Sequence, residues 1–482
     1  MITILLILFP LAISLIVLMF KDERTIKAIA LSGALAEFGI AIAAFIQYKT
    51  SCHCTLLFSA NWLSSMGVNL KFGMDGISLL LAGMTTFLLP VIILASFSHS
   101  YSRPAGFYSL ILLMEMALVG VFTAFDGLVF YIFWEMALIP AWFICAVWGG
   151  NDRIRITFKF FIYTFAGSLL MLVALIYLYF KTPLPHSFDF HWLYAVQLSP
   201  VEQIWVFLAF FIAFAIKIPL FPFHTWQPDT YAESPATGSM LLAGIMPKMG
   251  IYGMIRWMIP ICHEALQQWG SVAVIPAITG IVYASLIAIR QNDLKRLVAW
   301  SSIAHVGLIT AGVLILSEKA MTGAVIQMVS HGINIVGLFI VIDFIEGRTK
   351  TRSIGDLGGI ASKAPRMAVF FMIILLGSIA LPLTNGFIGE FLLLLGLFEY
   401  NMVVAAIAGM TVIFSAVYML WMYQRTMLGK TNALTSGIKD LTWLEMAALL
   451  PLVIMIFWIG LYPSFFLDIA WPDVKQILNS IR

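Results

Sequence analysis

Seven ionisable side chains stand where an apolar chain has no ordinary use for them. Glu115, Glu135, Lys217, Lys248, His305, His331 and Glu390 each fall inside a long apolar run. A charge at membrane depth is expensive, so such residues are rare, face the protein interior and mark ion or proton pathways. Any one of them has a plain reading as a buried group satisfied by a neighbouring helix. As a set mixing acids, amines and imidazoles, they supply what a membrane proton relay requires, namely groups that gain and lose protons in succession. Glu37 and Asp343 are weaker members.

Two of the seven have a telling local context. Lys217 sits in AFAIKIPLFPFHTWQPDTYAESP, where Pro219, Pro222, Pro228 and Pro235 forbid a continuous helix. The helix must break just after Lys217. Its negative C-terminal end then favours the ammonium, while burial disfavours any charge. With those terms opposed, a nearby carboxylate decides the state of the lysine, and Glu135 is the natural one. Glu390 sits in LPLTNGFIGEFLLL, where Pro382, Asn385 and Gly386 interrupt a second helix. There the carboxylate falls near a helix N-terminus, which favours the anion. Charge and polarity are both reversed relative to the first site.

The remaining members continue the pattern. Lys248 follows Pro247 in LLAGIMPKMGIYG, and that proline frees a carbonyl to meet a polar partner. His305 and His331 lie on consecutive apolar segments and can meet in mid-membrane, and imidazole suits proton passing near neutral pH. Two membrane histidines also suit a haem, but no second pair accompanies them. His224, inside the first break, can line the same path. His53, His99, His186, His191 and His263 fall near loops and are expected to be solvated.

The elements that must position these groups are membrane spans. Of 482 residues, 61% are hydrophobic and only 11% charged, against about 25% charged in soluble domains. That excludes a soluble enzyme and a disordered chain, and a net charge of +3 without a basic face excludes nucleic acid as a partner. Apolar stretches long enough to cross a bilayer predict an all-α polytopic membrane protein of about fourteen spans. They run over 2–20, 26–48, 76–98, 106–124, 127–148, 158–180, 203–230, 236–259, 272–289, 297–316, 320–345, 366–398, 402–424 and 442–462. The first reads as a retained span because no cleavage site follows it.

Basic residues then set the orientation. Eighteen of the 27 lysines and arginines fall in one set of loops, and seven, including Lys49, Lys71, Arg256 and Lys475, fall in the other. Both termini are therefore expected on the non-cytoplasmic side. The two breaks fall in the fourth helix of each of two five-helix blocks, spans 4–8 (106–259) and 9–13 (272–424), and an odd number of helices inverts the second block. Inverted repeats with matched broken helices characterise transporter cores. Residues 1–98 and 442–482 complete a single membrane domain. The four cysteines include no C-x-x-C pair, and Cys52-His53-Cys54 reads as an incidental loop sequence, so neither metal nor cofactor is expected in this chain.

Five of these segments, in this order, resemble the antiporter-like subunits of NADH:quinone oxidoreductase (respiratory complex I) and the related Mrp-type cation/proton antiporters. They are FYIFWEMALIPAWF, KIPLFPFHTWQPDTYAESPATGSMLLAGIMPKMG, DLKRLVAWSSIAHVGLI, VSHGINIVGLF and LPLTNGFIGEF. The resemblance implies a proton-translocating membrane subunit in which Glu135 pairs with Lys217. Lys248, His305 and His331 continue a central axis, and Glu390 ends it. Glutamate at 390, where most relatives carry lysine, resembles the M-type branch, as does the carboxylate at Glu115. The implied partners are L-type and N-type membrane subunits, with NAD, FMN, iron–sulfur clusters and quinone handled by other subunits and no redox chemistry here. A bacterial inner membrane is the implied setting. A sodium- or potassium-for-proton antiporter subunit is the alternative. There are departures: Leu383 follows Pro382 where the family commonly has a Pro-Gly step, which leaves Asn385 and Gly386 to supply the flexibility. Gln227 and Tyr231 replace leucine and, often, histidine.

Overall fold

A computed structural model describes residues 1–51 and 55–481, so Cys52-His53-Cys54 lie outside the described residues. The chain is a polytopic helical membrane protein. Among the described residues, eleven helices are long and apolar enough to cross a bilayer, and Ile2–Val17 and Pro365–Ser378 are shorter apolar helices. In lipid, every backbone polar group must be satisfied within the protein. Several helix starts accordingly carry side-chain caps. Asp22 accepts from Thr25 N, Asp75 from Ser78 N, Asp126 from Leu128 and Val129 N, and Asp293 from Arg296 N.

Burial separates the helices by role. Glu318–Thr349 is wholly buried along its apolar stretch and Leu294–Leu314 nearly so, whereas about a third or less of the corresponding stretch of Met402–Met427 and Trp443–Leu461 is buried. A helix that is hydrophobic all round and surrounded by other helices belongs to the core. The two innermost helices are those that carry His305 and His331.

The polar stretch before the third span is more ordered than its composition suggests. Leu56–Leu63 and Val68–Met74 form an antiparallel hairpin turned at Gly67, whose φ of +62° suits glycine. Thr3 Oγ1 donates to Leu56 O at 2.8 Å, and Asp473 of the last helix, Ser464–Ser480, accepts from Gly76 N. The two terminal helices thus meet the protein on the face that bears the hairpin. That last helix is not long and apolar enough to cross a bilayer.

Candidate functional site

The first break falls where the prolines require it: the helix Pro200–Lys217 ends on Lys217 itself. Its exposed end is closed by Trp226, whose Nε1 donates to Ile216 O at 3.0 Å. Lys217 is buried, with Nζ 5.2 Å from the Trp134 ring centroid, a cation–π contact that partly replaces water. Glu135 is the next residue in chain, at the end of Gly127–Met136. The helix is interrupted there because Pro140, one turn on, has no N–H for the Met136 carbonyl. Glu135 is half-buried, and among the described residues its Oε1 has no hydrogen-bond partner. Among the described residues no ion pair joins it to Lys217. The two groups interact through their charges across a gap.

Lys248 is fully buried and held from both sides. Its Nζ donates to Ala243 O at 2.9 Å and lies 2.8 Å from His331 Nδ1. Ala243 is four residues before Pro247, so its carbonyl is the one that the proline orphans. His331 and His305 face one another with ring centroids 6.0 Å apart. His305 Nδ1 is 2.9 Å from Glu390 Oε1, and Gln327 Nε2 donates to the same oxygen at 3.1 Å. Both His305 and Glu390 are almost completely buried. Lys248, His331, His305 and Glu390 therefore form one line of exchangeable groups, with His331 between Lys248 and His305.

The second break spans Ile379–Thr384, between Pro365–Ser378 and Asn385–Tyr400, and sets Glu390 in the second turn of the latter helix. The left-handed turns of the break fall on residues other than Asn385 and Gly386. Ala380 (φ +58°) and Leu383 (φ +75°) adopt the left-handed conformation, whereas Asn385 and Gly386 serve packing. Ser330 Oγ donates to Asn385 O at 3.0 Å, and Asn385 Nδ2 donates to Ser330 O at 3.3 Å. These bonds clamp the break to the helix position beside His331. A Cβ on Gly386 would sit 2.2 Å from Gly377 O.

Other sequence candidates lie apart. Glu115 is fully buried against Glu37, so that the two carboxyls face each other, and among the described residues no ion pair reaches either. His224 is buried among Phe221, Tyr283 and Trp300, and among the described residues no side chain hydrogen-bonds its ring, so it stands outside the hydrogen-bonded line. Tyr231 donates to Leu242 O at 2.8 Å, a structural bond. His99 is not simply solvated, because its Nε2 pairs with Asp343 at 2.8 Å, and that carboxylate raises the histidine above its usual value.

One basic residue that the loop count assigns to the non-cytoplasmic side is in fact buried in the protein. Arg256 is buried in a π-helical turn, Met254–Met258, paired with Asp75 and packed on the rings of Phe125, Phe190 and Tyr252. Its setting in IYGMIRWMIPI, apolar on both sides, was the available signal.

Comparison with known proteins follows this geometry. Residues 124–415 match the family model described as NADH:quinone oxidoreductase/Mrp antiporter, TM. A Rickettsia conorii protein, NADH-quinone oxidoreductase subunit M, is 41% identical over 422 residues, covering 86% of this chain and 85% of that protein. A chain of respiratory complex I from Thermus thermophilus with bound NADH superposes with a TM-score of 0.93 at 31% identity, over 100% of both chains. The Mrp complex of a Dietzia species shares the fold, with a TM-score of 0.89 at 18% identity over 99% of each chain.

Proposed function

Because this chain belongs to the NADH:quinone oxidoreductase/Mrp antiporter family of membrane subunits, we propose that it is the M-type proton-translocating subunit of a respiratory NADH:quinone oxidoreductase. The observation that carries the relay is the buried line Lys248–His331–His305–Glu390, whose two direct links are 2.8 and 2.9 Å. Electron transfer from NADH to quinone takes place in other subunits, and L-type and N-type subunits flank this one. The chain spans a bacterial inner membrane fourteen times as two inverted five-helix repeats, with both termini periplasmic, as the basic residues imply.

Energy reaches the chain electrostatically. A change of charge near Glu135 alters the hold of Lys217 on its proton, since the two interact without contact. The proton then moves to Lys248, through His331 and His305, and to Glu390. Moving one proton against about 100 mV requires about 2.3 kcal/mol. Each unit of proton affinity is worth about 1.36 kcal/mol, so a swing of about two units at one site suffices.

The test is NADH-driven acidification by the whole complex in vesicles. A Lys217→Ala complex that assembles should lose pumping through this chain, and undiminished pumping would overturn the assignment. Sodium gradients applied to the same vesicles separate the alternative, since an Mrp-type antiporter would move protons in response to sodium without NADH.

A further inference from the structure

Lys248, Tyr252 and Arg256 recur at four-residue intervals and run from the relay toward the face that carries both termini. Residues so spaced on a helix are neighbours about 5–6 Å apart, a separation that the flexible lysine chain can sweep. Tyr252 is fully buried, and its hydroxyl lies 3.1 Å from Ser78 Oγ. Ser78 in turn donates its N–H to Asp75 Oδ1 at 2.9 Å. Asp75 pairs with Arg256, and the next residue, Gly76, donates its N–H to Asp473. Asp473 belongs to the last helix, between Trp471 and Lys475, both exposed to the surroundings.

We propose that Tyr252, Ser78, Asp75 and Asp473 form a proton-release branch from Lys248 to the terminus-bearing face, with Arg256 positioning Asp75. This inference rests on the relay reading above. In the transfer, the Lys248 ammonium gives a proton to the Tyr252 hydroxyl while that hydroxyl hands its own to Ser78. Ser78 passes one to the Asp75 carboxylate, which yields it to Asp473, and the next proton arriving from Lys217 reloads the neutral amine of Lys248. The net change is one proton from nitrogen to the Asp473 carboxylate, and from there to water.

Charge count favours uptake at this end. Two carboxylates meet one guanidinium, so the cluster accommodates one proton. Burial, and next the charge of Asp75, push Asp473 up to about 7, against the opposing pull of Arg256. Tyr48 also faces it. Every other element of the branch is explicable as helix capping, but capping needs neither the Tyr252 hydroxyl nor a titrating group at 473.

The test compares Tyr252→Phe, Asp473→Asn, Asp473→Glu and Lys248→Ala complexes, checked for assembly, in NADH-driven pumping. Asparagine still accepts from Gly76 N–H, and phenylalanine keeps the packing. The first two variants should lose about a hundredfold or more in initial pumping rate, the scale of one general acid–base step, and Asp473→Glu should retain most of the parental rate. In the parental complex the rate should fall as the pH on the terminus-bearing side drops through about 7, because Asp473 then remains protonated. Asp473→Asn should lose that inflection. If Tyr252→Phe and Asp473→Asn pump like the parent while Lys248→Ala does not, the branch is wrong and the relay stands. Normal pumping by Lys248→Ala would remove the relay and the branch with it.

Discussion

The two helix breaks solve one problem with opposite wiring. At the first, Lys217 ends a helix against an indole face, and its carboxylate partner Glu135 acts across a gap. At the second, Glu390 is gripped by His305 and Gln327 on one oxygen, and among the described residues the other oxygen has no partner. The first arrangement responds to charge arriving from outside. The second responds to geometry, since a hydrogen bond weakens steeply with distance whereas a Coulomb interaction falls only as 1/r. On the relay reading, one end senses charge and the other conducts only through contact.

Shortening the two carboxylates separates the regimes most sharply. Glu390→Asp should withdraw the oxygen from His305 and Gln327. The loss of a buried hydrogen bond to a charged group, about 1.5–3 kcal/mol, corresponds to a tenfold or greater fall in pumping. Glu135→Asp keeps its charge and should lose no more than about threefold, given the slow fall of Coulomb energy with distance. Glu135→Gln and Glu390→Gln should both be severe. Equal losses for the two aspartates, measured as protons moved per NADH in the assembled complex, would erase the contrast.

A smaller effect belongs to the bridge between the ends. His331→Phe keeps a ring against His305 but removes the partner of Lys248 Nζ, which retains only Ala243 O. Leaving a buried donor half-satisfied is worth about 1 kcal/mol, so pumping should fall by about fivefold. Full activity of this variant would mean that Lys248 reaches His305 without His331.

The charged set was legible because lipid makes each buried ionisable group conspicuous in a run of apolar letters. The breaks were legible because proline removes a donor, and the Ala243 carbonyl freed by Pro247 is the one that Lys248 binds. What escaped was tertiary. That His331 lies between Lys248 and His305 depends on how three helices pack. Arg256 lay near enough to a span end to pass for a loop residue, and only the approach of Asp75, 181 positions away, reveals it as buried. The hairpin at Leu56–Leu63 and Val68–Met74 is short and mixed in polarity, so its alternation is faint.

The smallest predicted effect tests how the second break is held open. Leu383 adopts φ +75° with a side chain 63% exposed, so its conformation gains little from packing. Left-handed backbone in a non-glycine residue is unfavourable by roughly 1–2 kcal/mol, while glycine brings an opposing entropic penalty of roughly 0.5–1 kcal/mol. Leu383→Gly should therefore leave the melting temperature of the complex unchanged or slightly raised, and pumping intact. Gly386→Ala should do the reverse, because its Cβ would press on the Gly377 carbonyl across the break. Both substitutions alter backbone freedom within one short segment, yet only the second changes the clamp beside His331. Were Leu383→Gly to impair pumping as Gly386→Ala does, rigidity of the break itself, more than the Ser330–Asn385 clamp, would be what holds Glu390 against His305.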